Sequence, residues 1–137
     1  MANFLIDDIA DLLSSGGVTA TIYRGYLPEQ PDDAVGLVPT GGLAPVRAMR
    51  ASAGQPVEER PSVQVTIRAA TVQRAMVNAN FIWRLLDGAG DRDINGTRYY
   101  WIAARQSPFP LPRDGSDRAV WAFNIDVAKA VSTATST

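Results

Sequence analysis

Four pairs of neighbouring carboxylates have the residue types and spacing that could do chemistry: Asp7 with Asp8, Asp32 with Asp33, Glu58 with Glu59, and Asp91 with Asp93. Such pairs serve acid–base catalysis when their environments set their proton affinities apart, and they hold hard cations when further oxygens converge on them. None has a supporting catalytic neighbour in the chain, and acidic pairs on loops and helix starts are ordinarily solvated charge. The run Asp91-Arg92-Asp93-Ile94-Asn95-Gly96 has oxygen-bearing residues at alternate positions, as a calcium loop does, yet the distal bidentate Glu is missing because its place falls in an aromatic strand. A hairpin explains the run better. Ser15-Gly16-Gly17 and Thr40-Gly41-Gly42 lack the Lys-Ser/Thr and the strand-to-helix setting of a phosphate cradle. Asn95-Gly96-Thr97 has the form of a glycosylation acceptor, but the chain carries no secretion signal to bring it to that machinery. Tyr23-Arg24-Gly25-Tyr26 and Arg98-Tyr99-Tyr100-Trp101 could stack single-stranded bases, although sheet packing explains them too. The chain has no histidine and no cysteine, which removes disulfides, thiolate metal sites and every triad built on an imidazole. No catalytic residue, metal site or cofactor site is assigned, and the expectation is a protein that is not an enzyme.

Composition sets the remaining bounds. The 137 residues suit a single domain spanning 1–137, and 46% hydrophobic content is ordinary for a globular chain. Thirteen basic against fourteen acidic residues give a formal charge of -1, so no overall field favours nucleic acid or an acidic membrane. Lys129 is the sole lysine; the other basic residues are arginines. The start, Met1-Ala2-Asn3-Phe4-Leu5-Ile6-Asp7-Asp8, lacks a basic region, and no stretch has the length to cross a bilayer, which predicts synthesis and folding in the cytoplasm with no membrane contact.

The elements that must position any site are organised around residues 61–88. Val63, Val65 and Ile67 alternate with polar residues and predict a strand. Val72, Ala75, Met76, Ala79, Trp83 and Leu86 then recur three or four apart and predict a helix ending at Asp87-Gly88. A first helix is predicted over 3–14, with Asn3 as N-cap, followed by strands over 18–27 and 34–39, the latter stopped by Thr40-Gly41-Gly42. Residues 43–60 hold no period and read as a long loop, either an arm ordered by a partner or a plain surface loop. Asn95-Gly96 predicts a type I′ hairpin turn, with Tyr99, Trp101 and Ala103 on one face of the outgoing strand. Pro108, Pro110 and Pro112 predict a rigid extended connection, residues 118–131 a last strand, and residues 132–137 a frayed tail. The whole predicts one α+β domain, a mostly antiparallel sheet of about four to five strands with an N-terminal and a central helix packed on one face.

What remains is surface for partners. Phe109 and Leu111, between their prolines, and the long loop offer more apolar material than a small monomer needs to display, unless Phe109 and Leu111 tuck back on the core. The candidate interface residues are Arg47, Arg50, Glu58, Glu59, Phe109, Leu111 and Arg113.

An ordered set of residues carries a family resemblance: Arg60 to Arg68, the helix ending Leu85-Leu86-Asp87-Gly88, Ile94-Asn95-Gly96-Thr97 with Tyr99-Tyr100, Ala104 to Leu111, and Phe123-Asn124-Ile125-Asp126-Val127. The set resembles the minor capsid proteins of long-tailed bacteriophages, which are similar to tail terminators. The resemblance implies a structural virion protein that forms a ring, typically hexameric, and caps the head-proximal end of the tail tube. It also implies tail-tube protein and a head connector or stopper as partners, with DNA passing through the lumen without specific binding. The 43–60 segment departs from that pattern. A head-completion protein, a tail-tube subunit and a small ligand-binding module remain as alternatives.

Overall fold

The computed structural model describes residues 5–47, 56–112 and 118–130. Two helices, α1 (Leu5–Ser15) and α2 (Val72–Leu86), accompany seven strands: β1 (Thr21–Tyr23), β2 (Ala34–Arg47), β3 (Pro56–Ala69), β4 (Arg92–Ile94), β5 (Thr97–Ala104), β6 (Phe109–Leu111) and β7 (Ala119–Ala130). The sheet order is β1-β2-β3-β7-β5-β4, and β6 pairs with β7 off that path. Every pairing is antiparallel except β1 with β2.

The period of two read from Val63, Val65 and Ile67 sets the inner face. Val35, Leu37, Val63, Val65, Ile67, Phe123, Ile125, Val127 and Ile102 meet Ile9 and Leu13 of α1 and Ala79, Ile82 and Leu86 of α2 in one core, so both helices cover the same side of the sheet. Val35 lies opposite Ile67, and Ile67 opposite Trp121, which runs the apolar row straight across three strands. A fully buried aliphatic side chain contributes roughly 1.5–3 kcal/mol, and these rows supply most of the driving force.

The α+β class, the two helices and their common face match the expectation, whereas the sheet has seven strands where four to five were expected. The largest difference is in residues 43–60. Here β2 continues through Gly41-Gly42 to Arg47 and β3 begins at Pro56, so 43–47 and 56–60 are paired strands and only the connection between them lies outside the described residues. Register shifts between Pro39 and Gly42 and again beyond Leu43 break the period of two, which is why no alternation shows in the sequence. The prolines are tolerated because β1 covers the far edge of β2 only from Ala34 to Gly36, and proline costs little where no N–H is required.

Smaller differences follow the same logic. The 18–27 strand contracts to the three residues of β1, and the rigid 108–112 connection contains a real strand, β6, whose Pro110 sits opposite Trp121. In α2 the buried stripe is Ala75, Ala79, Ile82 and Leu86, while Val72 and Met76 are exposed. Along β5, the step from Tyr99 to Trp101 faces the single step from Lys129 to Ala128; this bulge turns Ile102 inward in place of Trp101. The type I′ turn is present as expected, Asn95 and Gly96 having φ of 50° and 82°. Asn3 and the 132–137 tail lie outside the described residues.

Gly42 is the position where the arm is least forgiving. Its φ is +133°, and a Cβ there would press on the carbonyl oxygen of Arg60 and approach the Cα of Pro61 to 2.8 Å. Gly41 also has a positive φ, +92°, but nothing stands within 4 Å of its would-be Cβ. Gly41→Ala should therefore cost about 1 kcal/mol of backbone strain. Gly42→Ala should cost at least about twice that, because backbone must shift as well. Urea unfolding of the two variants checks this, and equal costs would contradict it.

Candidate assembly surface

Three of the four carboxylate pairs diverge, and the fourth converges only on an arginine. Asp7 holds the Nε of Arg24 at 2.6 Å, while Asp8 turns inward. Glu58 accepts from Arg60 Nε at 2.8 Å, and Glu59 on the opposite face of β3 lies 3.7 Å from Lys129 Nζ. Asp91 and Asp93 both hold Arg98. Asp32 accepts from Arg118 at 3.2 Å, and Asp33 pairs with Arg74 at 3.4 Å. Among the described residues no group of three or more potential ligands is placed to hold a metal ion. No helix among them is long and apolar enough to cross a membrane.

The sheet face away from the helices is the more informative surface. Phe109 lies opposite Ala122 and Leu111 opposite Val120, so both side chains fall on that outer face, and both are half-buried. The two side chains rest on the sheet and stay partly accessible. The loop 24–33 crosses the same face. Gly36 permits the approach, since a Cβ there would meet the Gly25 carbonyl oxygen at 2.9 Å. Two buried arginines tie the loop down. Arg68 donates to the carbonyls of Pro31 at 2.5 Å and Asp32 at 3.2 Å, and Arg118 donates to the Glu29 carbonyl at 2.5 Å. Arginine suits this because its planar fork satisfies several acceptors at once, and the charge of Arg118 is offset by the Asp32 carboxylate at 3.2 Å.

Of the candidate interface residues, Arg47 ends β2 opposite Pro56, and Glu58 and Glu59 share the same hairpin. Phe109 and Leu111 pair with β7 at Ala122 and Val120, whereas Glu58 and Glu59 pair with it at Ala130 and Lys129. The two groups thus sit near opposite ends of β7, about 25 Å apart along the strand. Arg50 and Arg113 lie outside the described residues.

Sequence reasoning missed a buried polar cluster beneath α1. The Tyr99 hydroxyl donates to Asp8 Oδ2, and Asn95 Nδ2 donates to Asp8 Oδ1 and to Asp11 Oδ2, each at 2.8 Å. Lys129, fully buried, stands with its Nζ 6.0 Å from the centre of the Tyr99 ring. The cluster fastens the first helix to the hairpin turn and to the end of β7. Its one sequence signal was the lone lysine in an arginine-rich chain. Burial pushes the Asp8 carboxyl above its ordinary value, against the lowering effect of its hydrogen bonds, and burial with the Asp8 contact pushes the Tyr99 hydroxyl up. Hydrogen bonding from Arg105, at 2.6 Å to Oδ1, holds Asp126 below its ordinary value.

These shifts have opposite signs in stability. The folded state keeps a proton on Asp8 beyond the unfolded value of 3.8, so its contribution is present below that pH and fades as pH rises through the folded value. Asp126 contributes above 3.8 and loses its contribution as pH falls. Between about pH 2 and about pH 7, Asp8→Asn should gain stability relative to the wild type as pH rises above the ordinary carboxylate value, whereas the deficit of Asp126→Asn should be constant above about pH 4 and shrink as pH falls below 3.8. Asp8→Ala, which strands the Tyr99 hydroxyl and one Asn95 contact, should cost about 1–3 kcal/mol. Chemical denaturation across that range measures all three; a D8N variant that falls behind as pH rises would contradict the assignment.

Comparison with known proteins then bears on the whole surface. The chain matches the family model described as bacteriophage tail terminator protein over residues 8–131. No curated protein sequence matches it. Among solved structures, a chain from the virion of a native gene transfer agent particle is similar in fold, with a TM-score of 0.70 at 15% identity, covering 93% of this chain and 95% of that one. The family match spans the helices, the sheet and the outer face alike, and on it the chain belongs to the bacteriophage tail terminator protein family, as a structural protein of the virion.

Proposed function

We propose that the protein closes into a ring, six subunits being the expected number, at the head-proximal end of the tail tube. There it stops tube growth and offers the surface that meets the head connector or stopper. The role is structural and involves no catalysis; DNA passes through the lumen without specific binding, in keeping with a formal charge of -1. The observation that carries the reading is the family match over nearly the whole chain, with Phe109 and Leu111 half-buried on the outer sheet face as contact material. A similar fold in a phage-like particle agrees with assembly in a tail or neck.

Contact between subunits of a ring is heterologous: two unlike surfaces meet, and the rotation between copies returns the chain of contacts on itself. Strand addition at a sheet edge is one way to make such a contact. Here the edges are poorly suited to it. Pro108, Pro110 and Pro112 flank or occupy β6, Pro39, Pro45 and the Gly41-Gly42 bulge interrupt β2, and β4 is three residues long. Side-chain contact from the outer face therefore forms one side of the ring interface, and the β2–β3 arm, with Arg47, Glu58 and Glu59, reaches the lumen or a neighbour.

The double substitution Phe109→Asp with Leu111→Asp places two charges on that face and should give a folded monomer that no longer assembles. Negative-stain images of unchanged rings would overturn the contact. Long tubes from the wild-type chain alone would replace the terminator reading with a tail-tube subunit.

A further inference from the structure

The cluster beneath α1 holds a chemically labile dipeptide. Asn95 is the one asparagine of the chain that precedes a glycine; the others precede alanine, phenylalanine or isoleucine. Glycine has no side chain to shield its backbone nitrogen, so an asparagine before it readily loses its amide to attack by that nitrogen. Both residues lie exposed at the tip of the β4–β5 hairpin. The side-chain amide is nevertheless held fast. Asn95 Nδ2 donates to Asp8 Oδ1 and to Asp11 Oδ2, each at 2.8 Å, so carboxyl groups of α1 take up both of its hydrogens.

We propose that Asn95 is a deamidation site gated by α1: the docked helix protects its amide, and the product carboxylate keeps the helix from docking again. In the reaction the Gly96 backbone nitrogen attacks Cγ of Asn95 and gives up its proton. The bond from Cγ to Nδ2 breaks, and ammonia leaves. Water then opens the resulting cyclic imide at one of its two carbonyl carbons, giving aspartate or isoaspartate. Nothing is oxidised or reduced, and water is the sole co-reactant.

Ring closure needs Cγ to swing against the Gly96 nitrogen. An amide tethered to two aspartates cannot make that rotation, and α1 cannot follow it, because Ile9 and Leu13 are fully buried. The turn is pinned as well, by the pairing of Ile94 with Thr97. Attack therefore waits for a local opening in which α1 lifts off the hairpin.

The product changes the charge balance at the same place. Two donated hydrogen bonds become a carboxylate facing two carboxyl groups, which is destabilising. No spare cation stands ready to offset it. Within the cluster Lys129 already faces Glu59 at 3.7 Å, and the hairpin's own charges, Asp91, Arg92, Asp93 and Arg98, sum to zero. Isoaspartate also inserts an extra backbone carbon into a two-residue turn whose geometry sets the strand register. Either product loosens α1, and the step runs one way once ammonia has gone. The inference is independent of the ring reading.

The test holds the full chain at neutral pH and physiological temperature and reads conversion of Asn95 by peptide mass spectrometry, with a synthetic peptide of residues 92–99 as the unprotected reference. The wild type should convert far more slowly than the peptide. Asp11→Ala, a change at an exposed residue, should convert roughly tenfold faster than the wild type, and Asp11→Asn, which keeps an acceptor, should restore most of the protection. Ile67→Val, a mild core change that leaves both aspartates in place, should stay near the wild-type rate. Wild-type conversion at the peptide rate overturns the gate, as does Asp11→Ala no faster than the wild type. Ile67→Val as fast as Asp11→Ala also overturns it, since global unfolding would then set the rate. The lock is read separately, by hydrogen exchange of the α1 amides in Asn95→Asp. Exchange should be faster than in the wild type, and equal protection of residues 5–15 overturns the lock.

Discussion

β3 is the constraint on which the rest of the structure depends. It is paired along its length by β2 on one side and β7 on the other, and its alternate residues Val63, Val65 and Ile67 are fully buried at the centre of the core. Because the side-chain period of a strand is two, those three residues fix which face of the whole sheet is inner. The helices must then cover that face, since the opposite one carries Ser62, Gln64, Thr66 and Arg68. α2 follows β3 directly and packs back across it, while α1 is drawn down by Ile9, Leu13 and the inward Asp8. Removing a side chain such as that of Ile67 would cost about 2–5 kcal/mol, a large share of the stability of a domain this size.

The same constraint divides labour between the two faces. One is closed by helices and serves stability. The other is left to the short strand β6 and the arginine-tied 24–33 loop, which together form a surface that is covered only in part. Prolines and a glycine bulge interrupt the free edges, which disfavours open-ended strand addition.

How much of this was readable in the sequence follows from which signals are local. The alternation in 63–67, the Asn95-Gly96 turn and the existence of both helices are short-range patterns, and each was recovered. The 43–60 strands were lost because their ladder contains register shifts and prolines, which erase the period of two while leaving the pairing intact. The orientation of α2 was misjudged at Val72 and Met76 because the helix carries apolar residues on more than one side, and only packing against β7 and β3 chooses the buried one. Tyr99, Asp8 and Lys129 are far apart in sequence and met only through the fold, so no local pattern could announce their cluster. On the outer face, Phe109 and Leu111 stood out from their proline frame, whereas the exposed Tyr26 fell inside the predicted 18–27 strand.

Closure into a ring is the central claim, and the dependence of molar mass on concentration tests it most directly. Multi-angle light scattering on the purified chain over a wide concentration range should show mass rising from monomer to a plateau at a single closed multiple, with six the expected value. Mass that climbs without a plateau would mean open polymerisation, and mass fixed at the monomer would mean no self-association; either result would contradict the account.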